Sequence, residues 1–324
     1  MAALEFSLNE MENKNTMKFI SLIIFILIQT PFLPFSIIGY IIFEYKNRLV
    51  SKKLGVSATA VSALAGKYMS ALAGTHQNNL AGKLYTVLPN ASVAGFWLLF
   101  FPSYVRYKIC PAQFKAGKET MITIANRSVY FDRMIEKQKN NVEQFVIMGA
   151  GFDTRPYSEL KNSNLKFFEL DQLNTQKLKI ESLKKANMDC SHVTFVDVDF
   201  TTEKWYEKLE KSGYNPARKT LFLWEGVTAY LCENDVRKTI NEIKLHSAAG
   251  SVLTTDFYAH RIASRKRVKE TNEMLYFTLD FSGNAANVLK SFIESENLTL
   301  GDFYFMGHKA SSKGAIGVVI EIIL

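Results

Sequence analysis

The chain is poor in the residues that build covalent or metal frameworks. It has three cysteines in 324 residues, Cys110, Cys190 and Cys232, odd in number and far apart. That excludes a disulfide scaffold and a paired-thiolate metal site, and it fits a reducing compartment. The five histidines are equally scattered, with no His-x-x-x-His or Cys/His spacing, so no metal centre is expected. Internal repeats and low-complexity linkers are missing as well. Hydrophobic residues make up 48% of the chain and aromatics 13%, ample for one large core or two small ones. The net charge of +8 suits an anionic membrane surface or an acidic substrate, but also an ordinary soluble protein.

Charge is absent from one long stretch. Between Phe19 and Phe43 no charged residue occurs, and about 20 apolar residues suffice to cross a bilayer. Pro31 and Pro34 interrupt the run. A kinked membrane helix, an interfacial hairpin bent at Pro-Phe-Leu-Pro and a cleaved signal peptide are the three readings. Glu5, Glu10 and Glu12, with no small-residue cleavage site, speak against the last. Lys46, Arg48, Lys52 and Lys53 follow the run, against Lys14 and Lys18 before it. The positive-inside rule then makes the protein single-pass, with the remainder cytosolic. A second apolar patch, Ala94–Phe101, is too short to span and reads as a buried helix or a surface dipping into headgroups.

From Ser57 to Lys139 the periodicity is helical, and near Asn140 it changes. Strand candidates at Phe145–Met148, Phe167–Leu170, Val193–Val198, Leu221–Trp224 and Val252–Phe257 then alternate with helices at Leu173–Lys185, Thr202–Lys211 and Glu233–His246. This pattern predicts an α/β fold with a mostly parallel, doubly wound sheet. Phe303–Phe305 and Val318–Ile323 read as a hairpin at its edge. The expected division is a tail at 1–18, a membrane anchor at 19–43, a helical cap at 55–140 and a core at 141–324.

The most informative run is Gln144–Arg155, an apolar strand that opens into Gly149-Ala150-Gly151. A tight glycine turn lets a ligand approach the backbone, and about 20 residues later Asp171 ends the next strand, placed to accept ribose hydroxyls. Thr154 stands where a dinucleotide site wants a third glycine, so a cofactor lacking a pyrophosphate fits better. Ligands bind beyond the carboxyl ends of such strands. Those ends carry Gly149 and Gly151, then Asp171, then Asp197 and Asp199, then Glu225-Gly226. Each acid alone could be a helix cap; several along one rim suggest a site.

Taken in order, five segments resemble the leucine carboxyl methyltransferase-like group of class I S-adenosyl-L-methionine-dependent methyltransferases, including its bacterial O-methyltransferase branch. They are Asn126–Asp132, Gly149–Arg155, Phe168–Gln172, Asp197–Phe200 and Leu223–Leu231. The likeness covers roughly residues 55–260 and leaves the apolar amino-terminal run outside. It implies a Rossmann-like class I methyltransferase fold and S-adenosyl-L-methionine as cofactor. By position it implies that Arg127 binds the methionine carboxylate and that Gly149 and Gly151 admit the methionine portion. Asp171 would hold the ribose, Asp199 and Phe200 would frame the adenine, and Glu225 would lie near the sulfonium or amine. Tyr230 and Arg155 are candidates for substrate contact, against readings as a core aromatic and as a salt bridge shared with Asp153.

The implied chemistry is in-line attack of a substrate oxygen on the methyl carbon, with the protein aligning the reactants. A carboxylate acceptor needs no general base, whereas a hydroxyl does, and no histidine is placed for that role. A small acceptor at a membrane, from a class that includes lipophilic compounds, is the leading expectation. Carboxyl methylation of a protein C-terminus and a tethered, non-catalytic binding module are the others. Arg261, Arg265, Lys266, Arg267 and Lys269 read first as a solvated helical face, then as a membrane-facing patch. A nucleic-acid site comes last, because no aromatic stacking pattern lies beside them.

Overall fold

The computed structural model describes residues 2–74, 80–109, 123–158, 160–161, 163–200, 202–260, 276–306 and 315–324. Cys110 and the basic cluster between Arg261 and Lys269 lie outside the described residues. The chain divides into two compact units, Met1–Lys115 and Ala116–Leu324.

In the first unit, α1 (Ala2–Tyr45) continues through a π-turn at Lys46–Val50 into α2 (Ser51–Leu54). Gly55 ends it in the left-handed conformation, at φ +64°, which glycine adopts without a Cβ penalty. Three more helices follow: α3 (Ala58–Leu72), α4 (Leu80–Val87) and α5 (Val93–Ile109). Phe96 of α5 is fully buried and stacks on Tyr68 of α3 at 4.8 Å, with Tyr85 of α4 at 5.4 Å. The chain does not fold back at the Pro-Phe-Leu-Pro step: α1 is one helix with Pro31 and Pro34 inside it. Its segment Phe19–Leu54 with α2 is long and apolar enough to cross a membrane. The patch Ala94–Phe101 is part of α5, buried at Phe96 and exposed at Phe101.

The second unit opens with α6 (Thr123–Gln138) and then a seven-stranded sheet. Its strands are β1 (Gln144–Met148), β2 (Lys166–Asp171), β3 (Val193–Asp197), β4 (Thr220–Trp224), β5 (Val252–Tyr258), β6 (Thr299–Met306) and β7 (Gly317–Ile323). Between them run α7 (Leu173–Lys185), α8 (Trp205–Lys211), α9 (Glu233–Leu245) and α10 (Ala285–Ser295). The spatial order is β3-β2-β1-β4-β5-β7-β6. The first five strands are parallel neighbours, and β7 runs antiparallel between β5 and β6. The order reverses between β1 and β4, as in a doubly wound Rossmann-like sheet whose sixth strand is replaced by an antiparallel pair. The predicted alternation and the edge hairpin are both present.

β1 is apolar on both faces because both are covered. Val146, Met148, Phe168, Phe222 and Trp224 form one cluster with Trp205 of α8, Val236 and Ile240 of α9 and Leu289 of α10. Each such side chain contributes about 1.5–3 kcal/mol when fully buried. α9 reaches this cluster through Val236, Ile240 and Ile243, one stripe at helical spacing. The crossover from β1 to β2 holds a 3₁₀ turn, Arg155–Tyr157. α6 belongs to this second unit, whereas periodicity grouped it with the preceding helices. Tyr130 stacks on Tyr304 of β6 at 4.7 Å, and Lys137 reaches Glu321 of β7 at 3.0 Å.

Candidate functional site

Parallel strands put the carboxyl ends of β1, β2, β3, β4 and β5 on one edge of the sheet, so the residues after them share that edge. The glycine turn after β1 has the backbone that its sequence calls for. Gly149 and Gly151 have φ of +67° and +48°, a region that costs L-residues strain. A Cβ on Gly149 would also meet Val227 Cγ2 at 2.6 Å. The adjacent β2 closes the turn. Asp171 Oδ2 accepts the Gly151 N–H at 2.6 Å, and its other oxygen accepts the N–H of Gln172 at 2.7 Å. Burial raises the Asp171 pKa, while these amide donors oppose the rise.

On the β4 side, Glu225 is held between two arginines. Arg127, on α6, pairs with it at 3.2 Å and with Asp256 of β5 at 3.1 Å, and also donates to the Tyr258 hydroxyl. Arg155, from the glycine turn, pairs with Glu225 at 2.7 Å and with Asp132 of α6 at 2.6 Å, and also with Asp153. Asp256 accepts the Gly226 N–H at 2.8 Å as well. Gly226 is required at this point: its φ is +72° and a Cβ would lie 3.1 Å from the Arg127 guanidinium.

Burial pulls both arginine pKa values down, but the surrounding acids, with Tyr258 beside Arg127, outweigh it, so both remain cations. The Asp256 carboxyl is pushed up by burial against the pull of Arg127. Two guanidinium groups thus face four carboxylates, those of Asp132, Asp153, Glu225 and Asp256, a surplus of two negative charges when all are ionised. Such a cluster favours a cationic ligand group beside it. It also holds a spare donor: Arg155 Nη2 is buried and has no hydrogen-bond partner among the described residues. A buried donor left unpaired costs about 1–3 kcal/mol, so an acceptor oxygen from a ligand would be stabilised there.

The structure therefore brings Arg127, Gly149, Gly151, Asp171 and Glu225 to one sheet edge, linked through Arg155 and Asp153. Asp199 and Phe200 follow β3, one strand further out. There Asp199 takes the Glu203 carboxylate on its backbone N–H at 2.9 Å, and Phe200 lies 6.4 Å from Trp205. Tyr230, in a 3₁₀ turn after β4, is half-buried. Sequence reasoning missed Asp256, Tyr258 and the role of Asp132. The available signal was positional, since Asp256 and Tyr258 end β5 as Asp171 ends β2. Among the described residues no group of three or more His, Cys, Asp or Glu could hold a metal ion.

These features are those of a doubly wound α/β protein with a buried polar cluster at the switch between β1 and β4. The residues present suit S-adenosyl-L-methionine chemically: a glycine turn, a carboxylate after β2, an anionic surplus for a sulfonium or ammonium, and an unpaired buried guanidinium nitrogen for a carboxylate.

The chain is similar to several known proteins. Residues 100–244 match the sequence model of the leucine carboxyl methyltransferase family, and the resemblance read from the motifs stands over that stretch. A candidate S-adenosyl-L-methionine-dependent methyltransferase of Bacillus subtilis (strain 168) is 30% identical over 176 residues, covering 53% of this chain and 57% of the relative. Another, from Mycolicibacterium smegmatis, is 29% identical over 185 residues, covering 56% and 59%. The chain thus spans somewhat over half the length of these curated relatives. Among solved structures, a DUF574 family protein from Streptomyces avermitilis superposes with a TM-score of 0.45 at 11% identity, covering 62% of this chain and 83% of that one.

Proposed function

We propose that the protein is an S-adenosyl-L-methionine-dependent methyltransferase that O-methylates a small, lipophilic hydroxyl or carboxyl compound at a membrane. The observation that carries the reading is the carboxylate-lined edge around the glycine turn, with Asp171 and Glu225 on either side of β1. The bound cofactor would supply a methyl group already activated on a positively charged sulfur. Asp171 would accept the ribose hydroxyls, using lone pairs beyond those already given to Gly151 and Gln172. Glu225, with Asp256 and Asp153, would balance positive charge on the ligand. Arg155 Nη2 is the better placed donor for a ligand carboxylate, because Arg127 already spends its nitrogens on Glu225, Asp256 and Tyr258. Asp199 and Phe200 would border the adenine. The histidine that follows β5, His260, lies within hydrogen-bond distance of the Thr278 hydroxyl, and a carboxylate or acidic hydroxyl, needing little or no base, is the acceptor class favoured.

The membrane part of the proposal rests on α1. Its apolar side chains face outward, Phe19 at 64% exposure, Leu27 at 66% and Ile41 at 58%, and exposed apolar surface on this scale needs a cover. α1 would cross a bilayer once, with Lys46, Arg48, Lys52 and Lys53 on the cytosolic side.

The test is to supply the full-length protein, in lipid, with methyl-labelled cofactor and a membrane extract, and to analyse the products by mass spectrometry. Label in a lipid-soluble ester or ether supports the proposal. Label only in the protein fraction, on C-terminal carboxyls, would replace it with the leucine carboxyl methyltransferase reaction. Cofactor binding with no label transferred to any fraction would make the protein a binding module.

A further inference from the structure

α1 does not stand alone. Glycines on two helices bring it against α5: a Cβ on Gly39 would lie 2.6 Å from both Leu98 Cβ and Leu99 N, and one on Gly95 would lie 2.8 Å from Phe43 N and 3.1 Å from the Gly39 carbonyl. The two backbones are therefore in direct contact. Small residues that allow this approach are the device by which helices associate in lipid, where apolar burial gives no driving force and close dispersion contact must supply it. Away from the glycines the contact continues through aromatic side chains. Phe43 meets Phe100 at 6.1 Å, Phe32 meets Phe101 at 5.5 Å, and the Arg106 guanidinium lies 5.4 Å from the Phe25 ring centre. As α5 advances from Gly95 to Arg106, its partners recede from Phe43 to Phe25, so the helices are antiparallel.

We infer that α5 is a second lipid-embedded helix, entering the bilayer beside α1, with acyl chains covering the joint apolar surface at Phe32, Phe35 and Phe101. The inference rests on the reading of α1 as a membrane helix and extends it. Phe32 lies near the middle of the uncharged run 19–43, so if that run crosses a bilayer, Phe101 at its side shares its depth. Phe101 is 39% exposed and Phe35 is 52% exposed, which leaves this surface open to lipid. Val93–Val105 carries no charge, but 13 residues rise only about 20 Å, short of the roughly 30 Å hydrocarbon layer. α5 would therefore not insert by itself; α1 holds it through the glycine contact. Arg106 follows the uncharged stretch, its long stem able to carry the charge toward the interface while the guanidinium stays near the Phe25 ring.

The experiment places single tryptophan reporters in the full-length protein, reconstituted in phosphatidylcholine vesicles with or without bromine at mid-chain positions. Trp97→Phe removes the native tryptophan of α5. Trp205 and Trp224, each 1% exposed in the second unit, remain as a baseline. Phe35→Trp then reports on α1 and Phe101→Trp on α5. Loss of emission from both reporters in brominated lipid, to a comparable extent, is the expected result. Loss from Phe35→Trp with none from Phe101→Trp overturns the inference and leaves α1 as the sole membrane helix. Loss from neither overturns the membrane reading as well. Gly39→Leu, which pushes the helices apart, should diminish the signal from Phe101→Trp while that from Phe35→Trp persists; equal retention of both would also count against the helix pair.

Discussion

The two units break the same rule in opposite directions. The sheet-bearing unit buries charge: Arg127, Arg155, Asp153, Glu169 and Asp256 are all less than 9% exposed. The helical unit displays hydrocarbon, with Phe19, Leu27, Leu33, Phe35, Ile37 and Ile41 each at least half exposed. In water both are unfavourable, because buried charge loses hydration and exposed apolar surface orders solvent. Each is tolerable only with a partner. In the sheet unit most of the partners are already present, since nearly every charge has an opposite charge on a neighbouring strand or helix. In the helical unit α1 packs against α5, and much of its remaining apolar surface is exposed. The lesson is that polar networks disclose their function from inside, whereas an apolar helix discloses it through what it leaves uncovered.

The comparison breaks most severely at Glu225. Replacing it by Gln should cost about 3 kcal/mol or more in unfolding free energy, because two buried guanidinium groups lose a shared counter-charge. Urea denaturation of the sheet unit within the intact protein would reveal the loss, and a change under about 1 kcal/mol would mean that the cluster is better hydrated than its burial implies. Gly149→Ala comes next, at about 2–3 kcal/mol, combining a positive φ with the clash against Val227. It should also lower cofactor affinity, whereas Gly74→Ala, at a positive φ with nothing within 4 Å of its Cβ, should cost less and leave affinity unchanged.

The third prediction concerns pH. Glu169 is buried on β2, paired with Lys179 of α7 at 2.6 Å and accepting from the Tyr157 hydroxyl at 2.9 Å. Burial outweighs both partners and pushes its pKa up to about 6, from 4.5. The folded state then holds a proton more tightly than the unfolded chain. Its contribution to stability is fully present below about pH 4.5 and falls as pH rises towards 6, by up to about 2 kcal/mol. Glu169→Gln should flatten that segment of the stability–pH profile, whatever its effect on stability at pH 7. A slope left unchanged by the substitution would assign the titration to other groups.

Much of the sheet unit was legible because its signals are local. Alternation of apolar runs with amphipathic stripes marks β1 to β5 and α7 to α9, and the spacing from Gly151 to Asp171 survives as a direct hydrogen bond. What sequence could not give is closure across long separations. Arg127 and Asp256 are 129 residues apart, and no periodicity joins them. The side of a boundary on which a helix packs is equally hidden: periodicity groups α6 with the cap, whereas the stacking of Tyr130 on Tyr304 ties it to the sheet. The start of α8 at Trp205, three residues beyond the predicted Thr202, reflects the Asp199–Glu203 turn, whose N–H to carboxylate bond competes with a helical start. In the first unit the uncharged run was plain, but the Gly39–Gly95 contact was not, since neither glycine lies in a recognisable turn.

The sharpest measurement is equilibrium binding of radiolabelled S-adenosyl-L-methionine to the full-length protein and its Asp171→Ala variant, both checked for native circular dichroism. The expected result is saturable binding by the natural protein and an affinity lower by about a hundredfold or more in the variant, as follows from losing charge-assisted hydrogen bonds worth about 1.5–3 kcal/mol each. Equal affinity in the two proteins, or no binding to either at millimolar cofactor, would contradict a nucleoside site at the carboxyl edge of β1 and β2.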